Sequence, residues 1–135
     1  MKDAAKPRIL LVEDDLALAN AYKVRMEAEG FDIRHCPNGE VALQDALDYH
    51  PDLILLDIMM PRVSGYDVLD ILRHTPATAH TKIIILTALS QPSDQQRARD
   101  LGADEYLIKS QAVITDVMNR IRFHLGLKET QTPVI

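Results

Sequence analysis

"RILLVEDDLALA", residues 8–19, runs an apolar stretch into three consecutive carboxylates and then into a helical spacing. Ile9, Leu10, Leu11 and Val12 follow one another without a break. That is the pattern of a strand covered on both faces; a half-exposed strand would alternate. Past the acids, Leu16, Ala19, Tyr22 and Met26 recur at intervals of three and four, so residues 15–29 read as a helix burying those four side chains. Glu13, Asp14 and Asp15 therefore crowd the exit of a buried strand.

The same unit repeats along the chain. Strands are predicted at 52–56, 82–86 and 105–108 from near-continuous apolar runs, and the more alternating "FDIRHC" at 31–36 reads as an edge. Helices follow at 39–49, with Val41, Ala42, Ala46 and Leu47 inward, and at 65–74 and 92–101. A last one at 111–125 carries Ile114, Val117, Ile121 and Leu125 on one face. Gly30, Gly102 and Gly126 stand where left-handed helix ends would fall. Pro51 and Thr75-Pro76 stop the second and third helices, and Asn38-Gly39 marks a turn into the second. Five such pairs predict an α/β fold, (βα)5: a doubly wound parallel five-stranded sheet with right-handed crossovers and helices on both faces. The domain is expected to span residues 8–125, with 126–135 as a polar, Pro-containing tail or linker.

Composition narrows the function. A chain of 135 residues suits one domain with a real core. A net charge of -5 and the absence of any strong Lys/Arg cluster argue against nucleic acid and anionic membranes as partners. Cys36 is the only cysteine, which excludes an internal disulfide, a CxxC redox pair and a Cys-rich zinc site. "MKDAAKPR" lacks the apolar run of a signal peptide and no aliphatic stretch reaches membrane length, so a cytoplasmic location is expected. The histidines at 35, 50, 74, 80 and 124 show no paired metal spacing and read as isolated surface groups.

In open parallel sheets the functional crevice lies beyond the carboxyl ends of the strands. Glu13, Asp14 and Asp15 follow the first strand, Asp57 the third, Thr87 the fourth and Lys109 the fifth. Each has a plain structural alternative: Asp14 or Asp15 as a helix N-cap, Thr87 as a strand-end hydroxyl, Lys109 as a solvated charge. Asp57 is harder to dismiss, because a carboxylate between "LILL" and "IMMP" is costly to bury without a partner. Carboxylates this close either raise a pKa or recruit a cation, and Mg²⁺ suits one or two carboxylates plus water and a phosphoryl oxygen.

The segments "LLVEDD", "PDLILLDIMMP…SGYDVL", "IIILTA" and "GADEYLIK", in this order, resemble the receiver domain of bacterial two-component response regulators over roughly residues 8–125. The resemblance implies a flavodoxin-like strand order of 2-1-3-4-5. It also implies a phosphoacceptor switch that assists its own phosphorylation and dephosphorylation and is not a conventional enzyme. Asp57 would take a phosphoryl group from the phosphohistidine of a sensor histidine kinase or a histidine phosphotransfer protein. Asp15 would hold Mg²⁺ directly and Asp14 mainly through water, with Asp57 and the Met59 backbone carbonyl completing the protein ligands and Glu13 secondary. Lys109 would pair with Asp57 and then with the phosphoryl group, Thr87 and the Ala88 N–H would donate to it, and Tyr106 would report the change. The output surface would be the fourth helix, fifth strand and fifth helix, where a homodimer could also form. Met59 and Leu89 are expected to shield the phosphorylated form from water.

One departure stands out: Ser110 follows Lys109 where the family usually has proline, often after a cis bond. A cis bond before a non-proline residue costs about 2.5–4 kcal/mol, so the geometry at Lys109 stays open at this point. Two rival functions share the architecture or the chemistry, a flavodoxin-like cofactor binder and a small Mg²⁺-dependent phosphohydrolase. The first would need a phosphate-binding first turn of small residues, where this chain has three acids. The second would need a substrate cap, and no insertion is long enough to form one.

Overall fold

The computed structural model describes residues 5–128. Ten elements alternate: β1 (Arg8–Val12), α1 (Leu16–Ala28), β2 (Asp32–Cys36), α2 (Ala42–Tyr49), β3 (Leu53–Leu56), α3 (Gly65–Arg73), β4 (Lys82–Thr87), α4 (Pro92–Asp100), β5 (Glu105–Ile108) and α5 (Ile114–His124). All strand pairs are parallel, in the order β2-β1-β3-β4-β5. This is the expected (βα)5 fold with its 2-1-3-4-5 strand order. The strand order reverses direction around β1 and β3, opening a crevice between their carboxyl ends. The expected 126–135 tail lies mostly outside the described residues.

The sheet divides the core in two. One layer packs Leu10, Val12, Ile54, Leu56, Ile83 and Ile85 against α2, α3 and α4. The other packs Ile9, Leu11, Leu53, Leu55, Ile84 and Leu86 against α1 and α5. Alternate residues of β1, β3 and β4 thus point to opposite faces and are buried on both, which is why these runs are continuously apolar. Each large aliphatic side chain removed from water contributes about 1.5–3 kcal/mol.

Several local expectations need correction. β5 is an edge strand with only Ile108 buried, so its apolar sequence does not mean cover on both faces. Leu16 is 68% exposed, because it opens α1 at the rim before the helix reaches the sheet, and Val41 is exposed because it lies in the turn ahead of α2. In that turn the Asn38 side chain accepts from the Val41 N–H, and α2 starts three residues later than its apolar pattern suggests. α5 likewise begins at Ile114, after the chain turns at residues 109–113. Gly30, Gly102 and Gly126 do take positive φ (92°, 103° and 71°) just past their helices.

At the end of the sheet away from the carboxyl crevice, Arg73 closes α3. Its guanidinium donates to the Gly102 carbonyl at 2.9 Å, the Thr81 carbonyl at 2.7 Å and the Asp104 carboxylate at 2.8 Å. The same Asp104 oxygen accepts from the Ile83 N–H at 2.8 Å. One side chain thereby ties together the starts of β4 and β5.

Candidate functional site

The carboxyl crevice gathers its polar groups at strand ends, where the backbone is still held by the sheet. The Asp57 N–H donates to the Val12 carbonyl at 3.1 Å and the Glu13 N–H to the Cys36 carbonyl at 3.0 Å, each extending a ladder one step past its strand. Asp57 is only 4% exposed and Glu13 only 3%. Lys109 reaches both across the rim: its ammonium donates to Glu13 Oε1 at 2.7 Å and to Asp57 Oδ2 at 2.9 Å. The other Asp57 oxygen accepts from the Met59 N–H at 3.1 Å. Burial is the largest influence on Glu13 and raises its pKa, against the hydrogen bonds from Lys109 and the Asp15 N–H. Burial alone would lower Lys109, but its bonds to Glu13 and Asp57 prevail and hold its pKa above the ordinary value.

Glu13, Asp14 and Asp57 offer one oxygen each within 4.8 Å of one another. Together they carry -3, and Lys109 returns only +1. The remaining -2, on three convergent hard oxygen donors with Asp14 open to solvent, fits a divalent cation of the Mg²⁺ type.

The acidic turn divides its work. Asp15, expected to hold the metal directly, caps α1 and stands outside the three-carboxylate group: its Oδ1 accepts from the Leu18 N–H at 3.1 Å, and its own N–H donates to Glu13 Oε2 at 3.1 Å. Glu13, expected to be secondary, belongs to the three-carboxylate group. The turn needs an extended, exposed cap residue immediately before Leu16, and that position falls on Asp15, so the two acids nearer the strand are left to face Asp57.

Elsewhere on the rim, Thr87 is fully buried at the end of β4, and its carbonyl accepts from the Lys109 N–H at 2.8 Å. Ala88 is exposed beside it. The half-buried Tyr106 donates its hydroxyl to the Leu89 carbonyl at 2.9 Å, linking β5 to the loop ahead of α4, and burial pushes its pKa to about 12. No cis peptide bond occurs among the described residues, so Lys109-Ser110 runs trans and Lys109 still reaches Asp57. Met59 is exposed, and Leu89 is partly buried against the α2–α4 layer.

Two contributors were not read from sequence. Gly65 opens α3 so close to the loop after β3 that a Cβ there would fall 2.1 Å from the Asp57 carbonyl oxygen; only glycine fits. A single glycine after serine carries no such signal by itself. His35, taken as a surface group, places its Nε2 2.7 Å from the Glu13 carbonyl oxygen.

The chain matches the response regulator receiver domain family over residues 9–122 and belongs to it. It is 45% identical over 102 residues to the transcriptional regulatory protein CpxR of Escherichia coli K12, covering 76% of this chain and 42% of CpxR. It is 39% identical over 103 residues to the DNA-binding dual master transcriptional regulator RpaA of Synechocystis, covering 76% of this chain and 43% of RpaA. The chain thus spans less than half the length of these two regulators. The BeF3-activated receiver domain of Klebsiella pneumoniae RstA superposes with a TM-score of 0.81 at 28% identity, covering 87% of this chain and 97% of that one. The protein is a receiver-domain phosphoacceptor module of a two-component system. No helix among the described residues is long and apolar enough to cross a membrane.

Proposed function

We propose that Asp57 is the phosphoacceptor, taking a phosphoryl group from a phosphohistidine on a sensor histidine kinase or histidine phosphotransfer protein. A carboxylate oxygen of Asp57 forms the new O–P bond while the N–P bond of the donor breaks, and its electron pair stays on the departing imidazole. The observation that carries this is the buried Asp57 carboxylate held between the Lys109 ammonium and the Met59 N–H, with Glu13 and Asp14 facing it. Lys109 is a mobile point charge that can follow the charge onto a phosphoryl oxygen. Asp14, Asp57 and Glu13 would supply the side-chain oxygens for Mg²⁺, with the Met59 carbonyl carried over from the resemblance. Bound there, the ion neutralises carboxylate and phosphoryl charge.

Phosphorylation takes Asp57 from -1 to about -2 and adds acceptor oxygens. The Thr87 hydroxyl and the Ala88 N–H are the donors next to the site, and drawing them in pulls on the loop that Tyr106 holds through Leu89. The α4-β5-α5 surface then changes by a shift between two pre-existing states. That surface serves a downstream protein or a second copy of the chain. The receiver unit runs from residue 8 to 125 and works in the cytoplasm.

Incubation with acetyl phosphate and Mg²⁺, followed by mass mapping, should place one phosphoryl group on Asp57. Asp57→Asn should abolish uptake, whereas Thr87→Ala should retain uptake and weaken the response of the α4-β5-α5 surface. Equal labelling of Asp57→Asn would overturn the assignment.

A further inference from the structure

We infer that His35 is a positioning residue for the acidic pair Glu13 and Asp14, acting through the peptide that joins them. The β1–β2 ladder pairs Val12 with Cys36 and extends one step further, from the Glu13 N–H to the Cys36 carbonyl at 3.0 Å. In a parallel ladder the following rung would bring the Asn38 N–H to the Glu13 carbonyl. The chain leaves β2 at Pro37 and bends into the Asn38-Gly39 turn, and among the described residues no such rung forms. A strand-end carbonyl beside a buried side chain needs a donor. The His35 ring supplies it, with Nε2 2.7 Å from the Glu13 oxygen. A carbonyl only accepts, so that nitrogen carries the proton.

The consequence lies in which peptide is held. The Glu13 carbonyl belongs to the plane shared with the Asp14 nitrogen, and rotation of that plane would re-aim both side chains. The Glu13 carboxylate is already fixed at both oxygens, by Lys109 at 2.7 Å and by the Asp15 N–H at 3.1 Å. The exposed Asp14 carboxylate takes its direction from the backbone. His35 thus stands to the acidic turn as an outer hydrogen-bond partner stands to a metal ligand.

The inference rests on the proposed role of the site, and its test separates the two. Mg²⁺ binding to the whole chain would be measured by titration calorimetry for wild type, His35→Phe, His35→Ala and His35→Gln, with melting temperature recorded for each. Phe and Ala lack the donor. Gln keeps an N–H the same number of bonds from Cα. Both donor-less variants should bind Mg²⁺ about tenfold more weakly, in line with the loss of outer-shell support elsewhere, and Gln should restore most of the affinity. At saturating Mg²⁺, labelling of Asp57 by acetyl phosphate should return to the wild-type level in all three. Wild-type Mg²⁺ affinity in Phe and Ala, or equal weakening in Gln and Phe, overturns the inference even if melting temperatures fall. Wild type that neither binds Mg²⁺ nor labels at Asp57 overturns the reading of the site itself.

Discussion

α3 and α4 are both nine residues long, follow neighbouring strands and lie on the same face of the sheet, yet they are attached by different means. α3 buries Gly65, Tyr66, Val68, Leu69 and Leu72, while α4, "PSDQQRARD", buries only Ala98. α4 is held mostly at its edges. The Tyr66 hydroxyl donates to the Asp94 carbonyl at 3.2 Å, the Arg97 guanidinium lies 4.0 Å from the Tyr66 ring centroid, and Tyr106 grips the Leu89 carbonyl just upstream. The helix behind Asp57 is anchored by packing, which resists displacement. α4, which belongs to the proposed α4-β5-α5 output surface, is anchored by a few polar and aromatic contacts and little burial.

The largest test of that contrast is Leu69→Ala. It opens a cavity under α3 and should cost about 2–5 kcal/mol in chemical denaturation, whereas Gln96→Ala on the outer side of α4 should stay within about 0.5 kcal/mol. Equal losses would break the comparison. Gly65→Ala comes next: its methyl group cannot coexist with the Asp57 carbonyl, so about 1–3 kcal/mol of overpacking is expected, together with slower labelling of Asp57 by acetyl phosphate. Tyr66→Phe removes one hydroxyl and should cost at most about 1 kcal/mol. Hydrogen exchange should then quicken at α4 amides while those of β1 and β3 stay protected.

The smallest effect concerns pH where β5 meets α5, within the proposed output surface. Burial would raise Glu105, but the hydrogen bonds from Arg120 and His124 outweigh it and lower its pKa. A lowered carboxylate contributes stability above its unfolded value, and that contribution fades as pH falls through the folded value. Glu105→Gln should therefore weaken the protein at neutral pH and make little difference in strong acid, as read by melting temperature against pH.

Most of the architecture was legible because burial on both faces leaves an unbroken apolar record. β1, β3 and β4 fall within a residue of their expected bounds, so Glu13, Asp14, Asp15 and Asp57 follow from the ends of β1 and β3, and Thr87 closes β4. β5 misled because an apolar edge strand and a central strand look alike in a short run. The acidic turn was the harder case. Three adjacent carboxylates are hard to tell apart in a sequence, and the structure shows Asp15 capping α1 while Glu13 and Asp14 group with Asp57. Gly65 and His35 act through the backbones of other residues, a dependence that leaves no periodic trace. Cys36, read only as a lone thiol, is fully buried, and burial pushes it to about 12, which keeps it protonated and unreactive.

The Arg73 guanidinium gives the molecule a fulcrum. Through Thr81, Gly102 and Asp104 it ties the starts of β4 and β5 to the end of α3. In the proposed switch, displacement begun at Thr87 is then expected to be widest at the loop carrying Ala88 and Leu89 and least at the tied end, as a lever swings about its fixed point.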